Sequence, residues 1–193
     1  MILVRSERAG RRVMASVTRY LERRLKLQVN RDKSRVIATD QCTFLGFAFR
    51  GTKISWSDQT FRRFKQEVKR FTNRNWGVSM SRRLRELARY LRGWMGYFGL
   101  SGYYRPIAEI DGWIRRRIRM CFWKMWRKPR TRIRNLLKLG THRDLAISAG
   151  LSSKGPWCLA RTLSTNCGLS NAYLARIGLI SVRDLWIRLA PLR

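Results

Sequence analysis

The chain has 193 residues, 45% of them hydrophobic, which is enough apolar material to build a sizeable core. Its 43 Lys and Arg residues against 11 Asp and Glu give a formal net charge of +32, and so large an excess indicates a polyanionic partner. Most of these cations are arginine, whose planar guanidinium group binds phosphate and stacks on bases, so the composition favours nucleic acid over an anionic membrane surface.

The sequence also disfavours membrane, secreted and zinc proteins. No segment approaches the roughly 18 apolar residues of a transmembrane helix, and the start lacks a secretory signal, so we expect a cytoplasmic protein with no membrane partner. The cysteines form no C-x-x-C pair and His142 is the single histidine, so no zinc site is predicted from familiar spacings. Core or free thiols are expected at four positions: Cys42, Cys121, Cys158 and Cys167.

Residues 1–56 predict a small α+β unit. Residues 1–4 are all apolar and predict a strand, whereas Ser6 predicts the N-cap of a helix with Glu7 in its first turn. Residues 25–29, LKLQV, alternate between apolar and polar side chains as a half-buried strand does. The helix itself is predicted from apolar residues that recur at helical spacing: Val13, Val17, Tyr20, Leu21 and Leu25.

The end of this unit predicts a β-hairpin. Residues 42–49, CTFLGFAF, and residues 53–56, KISW, have the composition of strands. Gly51 lies between them and can adopt the positive φ that a tight turn needs.

After Trp56 the spacing of apolar residues becomes helical, so a second, mainly helical domain is predicted over residues 57–193. The first helix is predicted to begin after an N-cap at Ser57 or Asp58. The second is predicted to start near Ser81 and the third near Pro106. Shorter helices are expected over residues 130–190. The predicted buried positions are Phe61, Phe64, Val68 and Phe71 on the first helix, Leu84, Leu87, Ala88, Leu91, Met95 and Phe98 on the second, and Ile107, Ile110, Ile114, Ile118 and Met125 on the third.

Cations form two successive runs in the helical domain. Arg82, Arg85, Arg89 and Arg92 recur at steps of three, four and three, which predicts a stripe about 15 Å long on one helix face. The second run contains Arg115, Arg116, Arg117, Arg119, Lys124, Arg127, Lys128, Arg130, Arg132 and Arg134. We interpret both runs as a binding surface for nucleic acid.

Aromatic residues are interleaved with these cations, and unpaired bases stack on such side chains. Trp113 and Trp123 are nevertheless predicted to be core residues between helices. The remaining aromatic residues of this region are Trp94, Tyr97, Phe98, Tyr103, Tyr104, Phe122 and Trp126.

Five sequence blocks stand in a characteristic order: LKLQVNRDKSRV, FLGFAF, LRGWMGYFGL, IDGWIRRRIRMCFWKMWRKP and GPWCLART. Together they resemble group II intron-encoded reverse transcriptase/maturases. The resemblance implies that residues 1–56 are the rear of a polymerase palm, with short antiparallel strands and one helix. It also implies that residues 57–193 are a helical thumb, called domain X or the maturase-specific domain, which binds intron RNA and helps it fold for splicing.

The same resemblance assigns roles to residues of the first domain. Asn30, Lys33 and Ser34 match a block beside the incoming nucleotide. Phe44, Leu45, Gly46 and Phe47 match a hairpin that braces the primer end. Residues 1–6, MILVRS, resemble the strand that follows the catalytic Tyr-Ala-Asp-Asp loop, so the chain is expected to begin just downstream of the polymerase active site.

The acidic residues do not match a polymerase site. Two-metal phosphoryl transfer needs clustered carboxylates, whereas Glu109 and Asp111 are two residues apart on a predicted helix, so their side chains point about 200° apart. We therefore predict no catalytic residue, metal or cofactor in this chain, with Mg²⁺ expected only in an intact enzyme of the family. Polymerase activity by the chain alone is not expected.

Three hypotheses for function follow. The preferred one is an RNA-binding fragment that binds group II intron RNA and assists splicing through Arg82, Arg85, Arg89, Arg92, Arg115, Arg116, Arg119, Lys124, Arg127, Lys128 and Arg130. The second is the C-terminal half of a split or truncated reverse transcriptase that is active only with an upstream fragment. The third is a remnant without function.

Overall fold

A computed structural model describes residues 1–51, 53–102 and 105–189 of the chain. It is α+β, as predicted, with many helices and one small antiparallel sheet. The chain forms two compact units, Met1–Thr60 and Phe61–Arg193. Tyr103 and Tyr104, named above among the aromatic residues, lie outside the described residues.

The first unit contains one long helix and three short strands. Helix α1 spans Glu7–Arg23, and the Ser6 side chain caps it by accepting a 3.2 Å hydrogen bond from the backbone N–H of Ala9, as predicted. A short 3₁₀-helix at Thr39–Gln41 precedes the sheet. Strands β1 (Thr43–Phe44), β2 (Phe47–Arg50) and β3 (Lys53–Trp56) pair antiparallel in that order.

Two predicted strands of this unit are wrong. Residues 1–4 have no regular structure, and the one sheet formed by the described residues gives them no partner strand. Residues 25–29 are irregular too, because Lys26 adopts a φ of +54° and Leu27 donates its backbone N–H to the carbonyl of Leu21 at the end of α1. Apolar patterning indicates which side chains would be buried, but a strand also needs a neighbouring backbone.

Residues 42–49, predicted as one strand, contain a hairpin of their own. Leu45 and Gly46 both have positive φ, +50° and +83°, and they connect β1 to β2. Positive φ at both central residues is typical of the two-residue turns that match the twist of antiparallel strands. The second hairpin is confirmed, with Gly51 at a φ of +61° between β2 and β3.

Three long helices open the helical part of the chain. Helix α2 spans Asp58–Phe71, α3 spans Met80–Phe98 and α4 spans Arg105–Met125. Ser57 caps α2 and Ser79 caps α3, each accepting a 3.3 Å hydrogen bond from a backbone N–H three residues on. The predicted buried faces are confirmed except at Met125, which is 51% exposed at the end of α4, and at the half-buried Phe61 and Phe98.

Six shorter helices follow: α5 (Pro129–Lys138), α6 (Arg143–Leu151), α7 (Pro156–Leu159), α8 (Leu163–Gly168), α9 (Asn171–Arg176) and α10 (Val182–Leu189). They pack onto the long helices, with α7 against α4 and α10 against both α3 and α4. The predicted series of short helices is confirmed. Within the described ranges, no helix combines the length and the apolar character needed to span a bilayer.

Candidate nucleic-acid interface

The arginine stripe of α3 is a solvent-exposed surface. Arg82, Arg85, Arg89 and Arg92 are all exposed. The opposite face of the same helix is buried and includes Leu84, Leu87, Ala88, Leu91 and Met95. Helical periodicity therefore separates an apolar face from a cationic one, as the spacing predicts.

Acidic side chains neutralise little of this surface. Glu86 forms an ion pair with Arg89, and Glu67 on α2 forms one with Arg70 at 2.8 Å. Each pair lies within one helix and its arginine is exposed, so such contacts contribute only a few tenths of a kcal/mol. The stripe therefore keeps a net positive charge, with four arginines against the one carboxylate of Glu86.

A second exposed group of cations lies where α4 ends and α5 begins; we call it the α4–α5 junction. It consists of Lys124, Arg127, Lys128 and Arg130, all exposed. Pro129 occupies the first turn of α5, where its missing N–H costs nothing. The Arg132 Nε donates a 2.9 Å hydrogen bond to the carbonyl of Trp126, which holds the two helix ends together.

The middle of α4 departs from the prediction of a free cationic surface. Arg115 donates a 2.7 Å hydrogen bond to Asp111. Arg116 donates to the carbonyl of Trp157 from both Nε and Nη2, at 3.3 and 3.1 Å. Both side chains are therefore held by the protein and are only partly exposed.

Arg119 lies inside the protein and is a correction to the predicted RNA-binding set. It is 8% exposed, and its Nε and Nη2 donate to the carbonyl of Leu169 and to Asn171 Oδ1 at 2.8 and 3.0 Å. Burial lowers its guanidinium pKa, and the positive charge of Arg115 adds to the shift. Its spacing already indicated burial, because Trp123 and Trp126 follow at i+4 and i+7 and are buried too.

Two more arginines surround the C-terminal end of α2. The buried Arg83 donates from Nη1 to the carbonyls of Phe71 and Asn73 at 2.8 and 2.7 Å. Arg117 donates to Thr72 Oγ1 at 2.5 Å, and burial lowers its pKa. Arg83 thereby pairs the Phe71 carbonyl, which the end of α2 leaves without a helical partner, and Arg117 holds the neighbouring Thr72 hydroxyl.

Sequence reasoning missed this role of Arg83. Its position one turn before Leu87 and two before Leu91 places it on the buried face of α3, which is the signal that could have found it. A cation at an apolar position of a helix indicates a partner inside the protein.

Three of the interleaved aromatic residues are buried, namely Phe122, Trp123 and Trp126, whereas Trp94, Phe98 and Trp113 are half-buried and Tyr97 is exposed. The ring of Phe64 on α2 lies 5.0 Å from that of Trp94 and 5.9 Å from that of Tyr90, between centroids, so these rings join α2 to α3. Trp123 is buried, as predicted, and its Nε1 donates to Thr165 Oγ1 at 2.9 Å. Trp113 is only half-buried, with the Arg117 guanidinium 5.4 Å from its ring centroid.

Asp111 is a structural residue of this unit. It is 3% exposed, and its carboxylate accepts hydrogen bonds from Arg115, Ser181 Oγ and the backbone N–H of Val182, each at 2.7 Å. Glu109, two residues earlier, is exposed. Over the described part of the chain, no three His, Cys, Asp or Glu side chains come together in a way that could hold a metal ion.

In the first unit, Asn30, Lys33 and Ser34 share one turn. Asn30 Oδ1 accepts a 3.0 Å hydrogen bond from the Lys33 N–H, and the Asn30 carbonyl accepts another at 3.0 Å from the Ser34 N–H. Lys33 and Ser34 also line a cavity of about 560 Å³. Their nucleotide-side role stays a prediction.

The predicted primer-side residues Phe44, Leu45, Gly46 and Phe47 form the first hairpin. Phe44 pairs with Phe47 across the turn, and the Gly46 carbonyl accepts a 2.9 Å hydrogen bond from the Ser57 N–H. Leu45 at the tip is 65% exposed. A contact of this tip with a primer end also stays a prediction.

Comparison with known families finds a match for part of the helical region. Residues 61–140 match the family model described as group II intron, maturase-specific domain. This part of the chain is therefore similar to a maturase-specific domain. This match confirms the resemblance to group II intron maturases. It includes both the arginine stripe and the α4–α5 junction, whereas Trp157 lies beyond it. A comparison with curated proteins finds no match.

Proposed function

We propose that this chain binds group II intron RNA through its maturase-specific domain and thereby assists the folding of the intron for splicing. The observation that carries the proposal is the exposure of all four stripe arginines on one face of a helix of this domain. The family match supports a function related to group II introns, and the cationic surface supports RNA as the ligand.

The energetics of the stripe favour a polyanion. Like charges three or four residues apart on a helix destabilise it by about 0.2–0.5 kcal/mol per pair in water. A phosphate backbone that runs along the stripe removes this repulsion and releases counterions from the RNA. The arginines therefore reduce the stability of the free helix and increase its affinity for RNA.

The α4–α5 junction provides a second set of phosphate contacts. Its four cations lie within seven residues, and the hydrogen bond from Arg132 to Trp126 holds their backbone in place. Arg115 and Arg116 are partly exposed but already hydrogen-bonded, so they contribute less. Arg119 is excluded from the interface because it is buried.

A salt titration tests this function. The 193-residue chain is mixed with a group II intron RNA transcribed in vitro, and the fraction bound is measured by filter binding at several salt concentrations. We expect the logarithm of the association constant to fall linearly with the logarithm of salt, by about 0.7–0.9 per phosphate contact. Absence of binding, or binding that does not depend on salt, would contradict the proposal.

Splicing assistance needs its own assay. The same intron RNA with flanking exons is incubated with and without the chain, and the ligated exons are quantified. We expect the chain to increase the rate of exon ligation. Tight binding without any effect on this rate would limit the function to RNA binding.

A further inference from the structure

Trp157 differs from the other tryptophans of this protein. All eight tryptophans lie in the described part of the chain, and Trp157 is the most exposed of them, at 37%. Trp56, Trp123 and Trp126 are buried, and the remaining four are half-buried. The exposed part of this indole ring offers an apolar surface to a ligand.

The indole ring is held in place by Arg116. The Arg116 guanidinium carbon lies 3.8 Å from the centroid of the ring, and the same group donates two hydrogen bonds to the Trp157 carbonyl. Arg116 thus connects both the ring and the backbone of Trp157 to α4. A ring fixed in this way loses little conformational entropy when a ligand binds.

The backbone around Trp157 is anchored as well. Leu159, two residues later on α7, is 2% exposed. Its carbonyl accepts hydrogen bonds from Thr162 Oγ1 and Thr165 Oγ1 at 2.9 and 2.7 Å. Trp157 therefore stands on a rigid part of the chain.

The charged residues near Trp157 in the sequence indicate which kind of ligand it would bind. No acidic residue occurs in the sequence between Asp144 and Asp184, whereas Lys154 and Arg161 flank Trp157 and are exposed. A planar ring in a segment with cations before and after it in the sequence suits a base attached to phosphates. The same positive charges disfavour a basic peptide as the ligand.

We propose that Trp157, supported by Arg116, is a stacking site for an unpaired base of the bound RNA. This inference rests on the proposed RNA-binding function and adds a contact beyond the region that matches the maturase-specific domain. Because Arg116 occupies one face of the indole ring, the base stacks on the opposite face. Such a contact is tolerant of base identity, since every base has a planar face.

Two hairpin RNAs separate stacking from phosphate binding. One carries a loop of uridines, and the other carries the same loop with abasic sugars, so both have the same number of phosphates. Their affinities for the wild-type chain, Trp157→Ala and Trp157→Phe are measured by fluorescence anisotropy at one salt concentration. We expect Trp157→Ala to weaken binding of the uridine loop by about fivefold or more and to leave the abasic loop unchanged, with Trp157→Phe closer to wild type.

Each other result has a defined meaning. Equal weakening for both loops, or none for either, would overturn the stacking site but leave RNA binding intact. Failure of the wild-type chain to bind either hairpin would contradict RNA binding itself, and the stacking site with it.

A cross-linking experiment on the wild-type chain covers the case in which the alanine variant does not fold. The uridine loop is made with 4-thiouridine, irradiated in the complex and digested with trypsin. We expect the tryptic peptide of residues 155–161 to carry the RNA adduct. Adducts confined to other peptides would overturn the proposal.

Discussion

Asp111 on α4 accepts a 2.7 Å hydrogen bond from the backbone N–H of Val182, the first residue of α10. Ser181 and Arg115 donate to the same carboxylate. One buried acid therefore caps a distant helix and neutralises a neighbouring arginine. Asp111 therefore links the start of α10 to α4, beside the 2.8 Å hydrogen bond that Trp186 of α10 donates to the Ser101 carbonyl.

We expect Asp111→Ala to lower the free energy of unfolding by about 3 kcal/mol or more, because it leaves buried donors without an acceptor. Chemical denaturation followed by circular dichroism measures the change. Asp184→Ala is the matched control, since Asp184 lies exposed on α10, and it should change stability by less than about 0.5 kcal/mol. Equal stability of the two variants would show that the Asp111 cap is not needed.

The contrast between Arg119 and Arg85 gives a second prediction. We expect Arg119→Ala to destabilise the fold by about 2–3 kcal/mol, because it leaves the buried carbonyl of Leu169 unpaired. The exposed Arg85→Ala should change stability by less than about 0.5 kcal/mol. Thermal unfolding of the two variants, without RNA, checks both values; a destabilising Arg85→Ala would contradict the assigned face of α3.

Replacing either of two glycines inside α3 with alanine is expected to stabilise the protein. A Cβ added at Gly93 or Gly96 would meet no atom within 4 Å, and neither residue needs a positive φ. Each change to alanine should therefore raise the free energy of unfolding by about 0.5–1 kcal/mol. Gly99→Ala is the control and should destabilise, because its Cβ would collide with the carbonyl of Met95 and with Leu189. Destabilisation by Gly93→Ala would show that its surroundings are not open.

Because the thiol of Cys121 is buried, we expect the free energy of unfolding to decrease at alkaline pH. Burial raises its pKa, and the nearby Arg83 and Arg117 oppose this shift. Because the pKa of an unfolded thiol is about 8.5, the thiol's contribution to stability is complete below that pH and is lost as the pH rises further. We expect the free energy of unfolding to fall as the pH rises above about 8.5, and Cys121→Ala to make this fall less steep.

Denaturant unfolding at several pH values measures the effect. Cys158→Ala, at an exposed position, is the control and should keep the wild-type slope. If Cys121→Ala keeps the wild-type dependence of unfolding free energy on pH, the loss of stability does not come from the Cys121 thiol.

The helices were predictable from the sequence, but the strands were less so. The apolar spacing of Leu84, Leu87 and Leu91 corresponds to one helix face, and the backbone of a helix forms its own hydrogen bonds. Residues 1–4 and 25–29 have the apolar pattern of strands, yet a strand depends on a partner elsewhere in the chain. Leu45 was missed as a turn residue because a leucine at positive φ is rare.

In the candidate interface, the spacing of arginines predicted the exposed stripe of α3. It could not predict which cations of α4 are exposed and which are hydrogen-bonded inside the protein. Arg85 and Arg89 occupy the exposed face that their spacing predicts. Arg116 and Arg119 donate to carbonyls 41 and 50 residues away in the sequence. Such long-range acceptors are set by the packing of short helices, which no local pattern encodes.

The most direct test of the central claim compares two triple variants with equal change in charge. Arg85→Ala, Arg89→Ala and Arg92→Ala are combined in one chain, and the exposed Arg8, Arg12 and Arg19 of α1 are changed to alanine in the other. Filter binding to group II intron RNA across a salt series is measured for both. We expect the stripe variant to keep its helical circular dichroism, to lose affinity about tenfold or more, and to show a log–log salt slope smaller by about two, while the α1 variant stays close to wild type. Wild-type affinity and slope in the stripe variant would contradict the account.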